Sequence, residues 1–510
     1  MSALSEEVFD AVLMARQRVY AVANPTPLEE LVGTNLPFRL FVKREDLGPI
    51  KAYKWRGAYN RMALLTAEER ARGIVAASAG NHAQGVALAA KLLGVRAKIF
   101  MPRSTPDVKQ SAVRRFGGEF VEIVLHGDSY DAAGEAAKRA AKEERLTFVH
   151  PYDDVAVMGG QGTLADEVVM SGKGPFDVAF LQIGGGGLAS ASAVWLKRQY
   201  PGIRIYGVEG ANQASMKAAI EAGKPTDIGR VDIFCDGTAV RKAGTLTFEI
   251  CRELLDGIVT VTNEDVCWAI QKLWETNRII PETSGAMGVA AALKLADSLA
   301  GKKVLTVISG ANVDFGQLGF ITRNSQVNGA RRRFLRVHIP ERPGAFLDVF
   351  GKAFARRSIT EFQYGKTSES VARPVVGVAV SDAQFAEITG TLDAAGVRWE
   401  DVTGDADTLF RVIPFDRRLL KNPLFVRVDF YERPGALHDF ISRYLGAGDN
   451  ICYFNYLYTG ERVGRALLGV EFADAAARAA FTEKLAGEQG DAVRSSQIVG
   501  GNVAARLCGE

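Results

Sequence analysis

The sequence lacks the features that mark disulfide-rich proteins, zinc sites and membrane proteins. Its five cysteines and five histidines are scattered along the chain and form no Cys-x-x-Cys pair. Such a sparse, odd set of cysteines is typical of a reduced cytoplasmic protein, and we expect no metal site. No segment approaches the roughly 18–20 apolar residues of a membrane helix, so we expect no membrane partner.

An excess of charge of one sign is also missing. The 62 basic and 59 acidic residues leave a formal net charge of +3, which argues against nucleic acid as a partner. The N-terminus has no apolar core of a secretion signal, and we therefore expect a cytoplasmic protein. Its apolar residues instead recur about every fourth position, which predicts an amphipathic surface helix. These residues are Val8, Val12, Ala15 and Val19.

Two different patterns divide the chain, whose 510 residues predict about three domains. Between about residues 20 and 320, strand-like and helix-like segments alternate, which predicts an α/β domain with a largely parallel sheet. Ligands bind such sheets at the carboxyl ends of the strands. Glycine-rich and polar turns follow several of the predicted strands, and these turns are therefore candidate site segments.

The second pattern is an internal repeat. The segment RVHIPERPGAF begins at Arg336 and RVDFYERPGAL begins at Arg427, and seven of these eleven positions are identical. Each copy is followed by a pair of aromatic residues, which are Phe362 and Tyr364 in the first copy and Phe454 and Tyr456 in the second. Each unit has the order strand, helix, two strands, helix and strand, which predicts a ferredoxin-like α+β fold.

A glycine-rich turn lies between the apolar segment DVAFLQI and a predicted helix. It consists of Gly184, Gly185, Gly186, Gly187 and Leu188. Glycines let backbone N–H groups approach an anion without steric conflict, and the helix N-terminus adds its positive dipole end. The turn therefore predicts a phosphate-binding loop. A tight turn that only connects the strand to the helix is the alternative.

The same turn also satisfies a dinucleotide-binding pattern, Gly-x-Gly-x-x-Ala, between Gly184 and Ala189. Glu209 lies 25 residues after Gly184, at the end of the next predicted strand, where an acid could bind a ribose. On this motif alone, a nicotinamide-dependent dehydrogenase is therefore a second interpretation.

Two further segments carry polar side chains. The first consists of Ser78, Ala79, Gly80, Asn81 and His82. It lies between a predicted strand and a predicted helix, where serine and asparagine can cap the helix. The second, residues 43–58, contains five lysines and arginines. Taken alone, such charged side chains are expected at the solvated surface.

Together these motifs resemble the fold-type II pyridoxal-phosphate (PLP) enzymes, which share the fold of the tryptophan synthase β-subunit, and the biosynthetic threonine deaminases in particular. KREDL…YKWRGAYN is similar to the segment that binds PLP covalently, and the resemblance places that link on Lys54. SAGNHAQGVA resembles the ring-binding loop, with Asn81 beside the 3′-oxygen of PLP, and GGGGL resembles the phosphate loop. Ser309 matches the residue that faces the pyridine nitrogen, and residues 150–167 are also similar to the family.

The resemblance covers nearly the whole chain and implies three domains. Residues 1–325 correspond to a PLP-dependent catalytic domain, and residues 332–405 and 423–498 correspond to two ACT-like regulatory domains. The resemblance further implies isoleucine as an inhibitor, valine as its antagonist, and a homotetramer. The four aromatic residues of the repeats are then candidate effector-site residues, and aromatic packing in the core of each repeat is the alternative.

The implied activity is PLP-dependent β-elimination of L-threonine to 2-oxobutanoate and ammonia, the first step of isoleucine biosynthesis. Lys54 would serve as general base, provided that a poorly hydrated site lowers the pKa of its amine. Ser309 offers a neutral hydroxyl, which does not enforce a protonated pyridine, and we expect this to favour elimination over transamination. The turn 78–82 would bind the substrate carboxylate at a helix N-terminus, with His82 as a packing residue.

Two departures from the family pattern border this site. Ala52-Tyr53 replaces the usual Ser-Phe before the lysine, and Thr283-Ser284 replaces the usual Pro-Ala. They leave open a related lyase that acts on serine or another β-hydroxy amino acid. A sensor that binds isoleucine without turnover is a further alternative, which the intact lysine, phosphate loop and Ser309 disfavour. Glu209 could instead contribute to a cation site, although a plain strand-end glutamate is the simpler interpretation.

Overall fold

The computed structural model forms two compact units, Met1–Phe315 and Gly316–Glu510. The structure describes residues 1–325, 331–340, 352–354, 359–363, 370–405, 408, 423–431, 443–444, 449–456, 463–472, 474–487 and 493–499. No helix among these residues is long and apolar enough to cross a membrane. The domain ranges derived from the sequence stay predictions.

The first unit alternates helices and strands, as the sequence predicts. Its helices are α1 (Ala3–Tyr20), α2 (Trp55–Ala63), α3 (Ala67–Arg72), α4 (Asn81–Leu93), α5 (Asp107–Gly117), α6 (Tyr130–Glu143), α7 (Val155–Met170), α8 (Gly187–Gln199), α9 (Ser215–Ala222), α10 (Thr245–Leu254), α11 (Asn263–Asn277) and α12 (Thr283–Lys294). Its strands are β1 (Leu28–Glu30), β2 (Arg39–Arg44), β3 (Ile74–Ala77), β4 (Ala97–Met101), β5 (Val121–Leu125), β6 (Thr147–Phe148), β7 (Val178–Gln182), β8 (Arg204–Gly210), β9 (Gly257–Val261) and β10 (Lys303–Ile308). A further helix, α13 (Phe315–Asn324), begins where the second unit starts.

Two sheets organise this unit. The large sheet has the order β1-β2-β10-β7-β8-β9, and only β1 runs antiparallel to its neighbour. The small sheet, β5-β4-β3-β6, is entirely parallel. Every residue of β3 and β7 is buried, as expected for parallel strands that helices cover on both faces. The predicted α/β fold with a largely parallel sheet is therefore confirmed.

Helix α1 confirms the amphipathic pattern of the N-terminus. Its buried residues are Ser5, Val8, Val12, Ala15 and Val19, which follow one another three or four positions apart. With this face the helix packs against α7 and α8. Ser2 caps its first turn by accepting a hydrogen bond from the backbone N–H of Ser5 at 3.3 Å.

Among its described residues, the second unit contains two four-stranded antiparallel sheets. Its elements are β11 (Arg331–Val337), β12 (Ile339–Pro340), β13 (Ile359–Gln363), β14 (Val371–Ala372), β15 (Val375–Val380), α14 (Asp382–Ala394), β16 (Trp399–Asp401), β17 (Pro423–Tyr431), β18 (Asn450–Tyr456), β19 (Val463–Glu471), α15 (Ala475–Gly487) and β20 (Ser495–Ile498). The sheet orders are β13-β15-β11-β16 and β18-β19-β17-β20. In both, the first strand lies between the third and the fourth, which is the ferredoxin-like order that the repeat predicts.

The aromatic residues of the repeats lie on equivalent strands. Phe362 pairs with Val376, and Phe454 pairs with Leu468, so that each occupies the second strand of its sheet. Tyr456 belongs to the same strand as Phe454, whereas Tyr364 lies outside the described residues. Both second strands also shift register near their start. An effector role for these four residues stays a prediction.

Candidate active site

Lys54 lies directly before α2, where the chain leaves β2 and passes the carboxyl end of β10. Its Nζ donates a hydrogen bond to the carbonyl oxygen of Pro151 at 2.9 Å. Burial lowers the pKa of its ammonium from 10.5 to about 8, and the nearby Glu282 carboxylate opposes this shift. A neutral amine, which nucleophilic attack on an aldehyde requires, is therefore well populated slightly above neutral pH.

The glycine loop, residues 184–188, connects β7 to the first turn of α8. Gly186 has φ +102°, a conformation that side chains other than glycine rarely adopt. The first N–H groups of a helix have no acceptor within that helix, and they are available to an anion here. The loop is thus built as an anion cradle at the carboxyl edge of the large sheet.

Tyr152 lies between this cradle and the lysine. Its ring centroid is 6.0 Å from the Nζ of Lys54. A Cβ atom added to Gly185 would lie 2.3 Å from the ring of Tyr152, and one added to Gly187 would lie 3.0 Å from its Cβ. The structure therefore brings Lys54 and the glycine loop, 130 residues apart in the sequence, against the same side chain.

Replacing Gly185 by alanine should weaken PLP binding by about tenfold, because overpacking a dense site costs roughly 1–3 kcal/mol. The new Cβ collides with ring carbons of Tyr152, which cannot move without disturbing the cradle. Titrating the cofactor-free protein with PLP and following the visible absorbance measures the effect. Gly202→Ala is the matched control, since a Cβ there meets no atom within 4 Å. Equal affinities in the two variants would contradict the role of the loop.

Asn81 begins α4 at the carboxyl end of β3, and its side-chain amide has a defined orientation. Its Nδ2 donates to both carboxylate oxygens of Glu282, at 2.8 and 3.0 Å. Its Oδ1 accepts a hydrogen bond from the Nδ2 of Asn312 at 2.7 Å. Burial raises the pKa of Glu282 to about 7, and the neighbouring Asp236 adds to this shift. Sequence reasoning did not select Glu282 as a site residue, although it lies in a segment that departs from the family pattern; the structure places its carboxylate against Asn81 and near Lys54.

The remaining predicted residues surround the same space. Ser309 is 3% exposed at the end of β10, and its carbonyl oxygen accepts a hydrogen bond from the N–H of Tyr53 at 3.0 Å. In the turn 78–82, the hydroxyl of Ser78 accepts a hydrogen bond from the N–H of Gly80 at 3.2 Å. The ring of His82 is buried, and its Nε2 lies 3.0 Å from the carbonyl oxygen of Val149. Burial lowers the pKa of His82 to about 3, which fits a neutral packing residue.

Among the charged residues of the segment 43–58, only Lys51 is exposed, and the expectation of a solvated surface is wrong for the others. The side chains of Lys43 and Arg56 are buried and pair with two buried glutamates. Arg56 Nε donates to Glu45 at 2.8 Å, and Lys43 Nζ donates to Glu167 at 2.6 Å. Two cations facing two anions neutralise each other, which makes burial of all four tolerable. The network ties β2, the start of α2 and α7 together behind Lys54.

Glu209 does not serve as a ribose-binding acid. Its carboxylate is fully buried and accepts hydrogen bonds from the backbone N–H groups of Met216 and Lys217, both at 2.8 Å. It thus caps α9 as a structural glutamate, which leaves the dehydrogenase interpretation without its acid. Within the ranges that the structure describes, no group of three or more His, Cys, Asp or Glu residues could hold a metal ion.

The donor set fits PLP. The cradle offers backbone N–H groups and a helix N-terminus to a phosphate. A side chain at Gly185 would collide with Tyr152 and one at Gly186 with Thr247, so the close packing of the loop requires glycine at both positions. The amine of Lys54, with its lowered pKa, suits a covalent link to an aldehyde. Ser309 offers a neutral hydroxyl and Asn81 a polar amide at the ends of β10 and β3. No dinucleotide is needed to account for these groups.

Comparison with known proteins agrees with this geometry. Residues 20–310 match the family described as pyridoxal-phosphate dependent enzyme, and residues 323–411 and 417–497 each match the C-terminal regulatory domain of threonine dehydratase. The biosynthetic L-threonine dehydratase IlvA of Haemophilus influenzae is 39% identical over 472 residues, which cover 91% of each chain. That of Escherichia coli is 39% identical over 477 residues, covering 92% of this chain and 91% of the relative.

Solved structures show the same relationship over about three fifths of the chain. The processed form of threonine deaminase isoform 2 from Solanum lycopersicum superimposes with a TM-score of 0.60 at 38% identity, covering 62% of this chain and 93% of that one. Maize serine racemase superimposes with a TM-score of 0.57 at 32% identity, covering 61% and 94%. With a catalytic region and both regulatory repeats matched, this chain belongs to the biosynthetic threonine dehydratase family of PLP-dependent lyases.

Proposed function

We propose that this chain catalyses the PLP-dependent β-elimination of L-threonine to 2-oxobutanoate and ammonia, and so supplies the first step of isoleucine biosynthesis. The observation that carries the proposal is the position of the Lys54 amine. Burial lowers the pKa of this amine to about 8, and Lys54 and the glycine loop both lie near Tyr152, which supports a shared site. The relatives that share both the catalytic and the regulatory region are biosynthetic threonine dehydratases.

Each side chain of the site has a defined task in this reaction. PLP, when bound, withdraws electrons from the substrate Cα and so makes its proton removable. Lys54 holds the cofactor before the substrate arrives and then takes the Cα proton on its neutral Nζ. The turn 78–82 binds the substrate carboxylate with the N–H groups that begin α4. Ser309 would offer the pyridine nitrogen a neutral hydroxyl without adding a negative charge, which would favour loss of the β-hydroxyl.

The second unit is proposed to bind the end product. In this proposal isoleucine inhibits the enzyme and valine antagonises that inhibition. The effector site contains Phe362, Tyr364, Phe454 and Tyr456. The equivalent positions of Phe362 and Phe454 in two sheets of the same strand order support paired sites. Such control requires that the effector binds two states of the enzyme unequally. We also propose a cytoplasmic homotetramer, as the family resemblance implies.

The reaction is tested by 2-oxoacid release from L-threonine, with L-serine in parallel, by the PLP-loaded protein. We expect a clear preference for threonine, inhibition by isoleucine and relief by valine. A preference for serine would overturn the substrate and make the departures at residues 52–53 and 283–284 the determinants to mutate. Isoleucine binding without release from either substrate would overturn the enzymatic proposal in favour of a sensor.

A further inference from the structure

The start of helix α10 contacts the glycine loop through the buried hydroxyl of Thr247. The Oγ1 of Thr247 donates a hydrogen bond to the carbonyl oxygen of Gly185 at 2.6 Å. A Cβ added to Gly186 would lie 2.7 Å from the same Oγ1. Thr247 is fully buried, so this contact takes place away from solvent. A second donor, the N–H of Gly244, reaches the same carbonyl at 3.3 Å.

This contact fixes the orientation of one peptide group. The carbonyl of Gly185 and the N–H of Gly186 belong to the same planar, trans peptide, so the two groups point in opposite directions. When Thr247 holds the carbonyl toward α10, the N–H of Gly186 points away from α10. Between two glycines, such a peptide has no side chain to restrict its rotation, and an external contact is needed to hold it.

Asp153 in turn holds the first turn of α10. Its Oδ2 accepts a hydrogen bond from the N–H of Thr245 at 2.9 Å, and its Oδ1 accepts from Leu246 and Thr247 at 2.8 and 3.2 Å. Three N–H donors and the positive helix end offset the charge of the carboxylate. Asp153 directly follows Tyr152, whose ring contacts the other side of the glycine loop. Two consecutive residues therefore hold the glycine loop. Tyr152 contacts it directly, and Asp153 acts on it through Thr247.

We propose that Thr247, set in place by Asp153, is a positioning residue that locks the Gly185–Gly186 peptide with its N–H toward the phosphate of PLP. This inference rests on the proposed role of the glycine loop as the phosphate site. Neither residue contacts the reacting atoms, and both act through the loop. The proposal predicts a loss that is specific to the phosphate group of the cofactor.

Thr247→Val removes the donor and keeps the shape of the side chain. We expect the affinity of the cofactor-free, full-length protein for PLP to fall by about tenfold, because the buried carbonyl loses its shorter hydrogen bond and keeps only the longer one from Gly244. Binding of pyridoxal, which has the same ring and aldehyde but no phosphate, should stay unchanged. Thr247→Ser, which keeps the hydroxyl, should restore most of the affinity for PLP.

Thr245→Val is the matched control, since Thr245 lies in the same helical turn with an exposed side chain. It should bind both compounds like the unchanged protein. An equal loss of PLP and pyridoxal affinity in Thr247→Val would overturn the proposal and show a general structural role. Unchanged PLP affinity would overturn it as well. If Thr247→Val does not fold, Asp153→Asn replaces it, with a smaller loss expected in the same direction and for PLP alone.

The unchanged protein separates this inference from the assignment of the phosphate site. If it binds PLP no more tightly than pyridoxal, the glycine loop is not a phosphate site and both proposals fail. If it prefers PLP and Thr247→Val keeps that preference in full, only the role of Thr247 fails.

Discussion

Lys54→Ala abolishes the release of 2-oxoacid from threonine, with a loss of at least about a thousandfold, within the range for removing a general base. The loss is large because one amine performs two tasks, covalent attachment of PLP and removal of the substrate proton. The variant should also lack the visible absorbance that the covalently held cofactor gives to the unchanged protein. Activity assays and absorbance spectra of purified protein, incubated with an excess of PLP, measure both effects.

Lys51→Ala is the matched control for this variant, since Lys51 lies three residues away with an exposed side chain. It should keep both the activity and the absorbance. Adding a small primary amine to Lys54→Ala should recover part of the activity, because the amine can occupy the space left by the side chain. A Lys54→Ala variant that still turns over threonine at more than about one tenth of the original rate would show that another group is the base.

The parts of the site that the sequence predicts are those with a local physical requirement. A phosphate loop needs consecutive glycines and a following helix, and both occur within residues 184–199. The ferredoxin-like repeats are likewise visible as two similar segments, and the order of their strands follows from the fold. In each case a short pattern and its spacing carry the information, and the strand–loop–helix and the two strand orders are found where the sequence predicts them. The role of the loop as the phosphate site stays a prediction.

The parts that the sequence does not predict depend on distant partners. Arg56 and Glu167 form two hydrogen bonds across 111 residues, and nothing near either residue indicates the pairing. The charged segment therefore has the pattern of a surface, whereas all of its charged residues except Lys51 are partly or fully buried. Thr247 is equally ordinary in the sequence, and its role depends on a contact with Gly185, 62 residues away. Such contacts form only when the parallel strands bring their carboxyl ends together.

Glu282 shows how burial connects the site to stability. The residue is 5% exposed, and its carboxyl lies near Asp236. Burial raises the pKa of this carboxyl from 4.5 to about 7. A carboxyl whose pKa is raised in the folded state binds its proton more tightly there than in the unfolded chain. The contribution of this carboxyl to the stability of the fold is therefore fully present below pH 4.5, and it is lost as the pH rises through about 7. The hydrogen bond from Asn81 and the charge of Lys109 offset only part of this cost.

Glu282→Gln should therefore gain stability relative to the unchanged protein as the pH rises. Each pH unit between the two pKa values corresponds to about 1.4 kcal/mol, so the relative gain approaches about 3 kcal/mol above neutral pH. Glutamine can still accept one hydrogen bond from Asn81. Loss of the other bond shifts the difference in stability between the variant and the unchanged protein by the same amount at every pH. The sign of the pH dependence is for this reason the decisive observable.

Thermal denaturation of the cofactor-free protein between pH 5 and 8 measures the difference, because the titration of Glu282 falls within this range. The denaturation midpoint of Glu282→Gln should rise relative to that of the unchanged protein as the pH increases. Glu119→Gln, which removes the same charge from an exposed position, should give a difference that varies little with pH. If the difference in denaturation midpoint between Glu282→Gln and the unchanged protein stays flat or falls with pH, the fold stabilises the carboxylate. In that case Glu282 would hold Asn81 as a permanent anion, and the charge beside Lys54 would be constant over the working range of the enzyme.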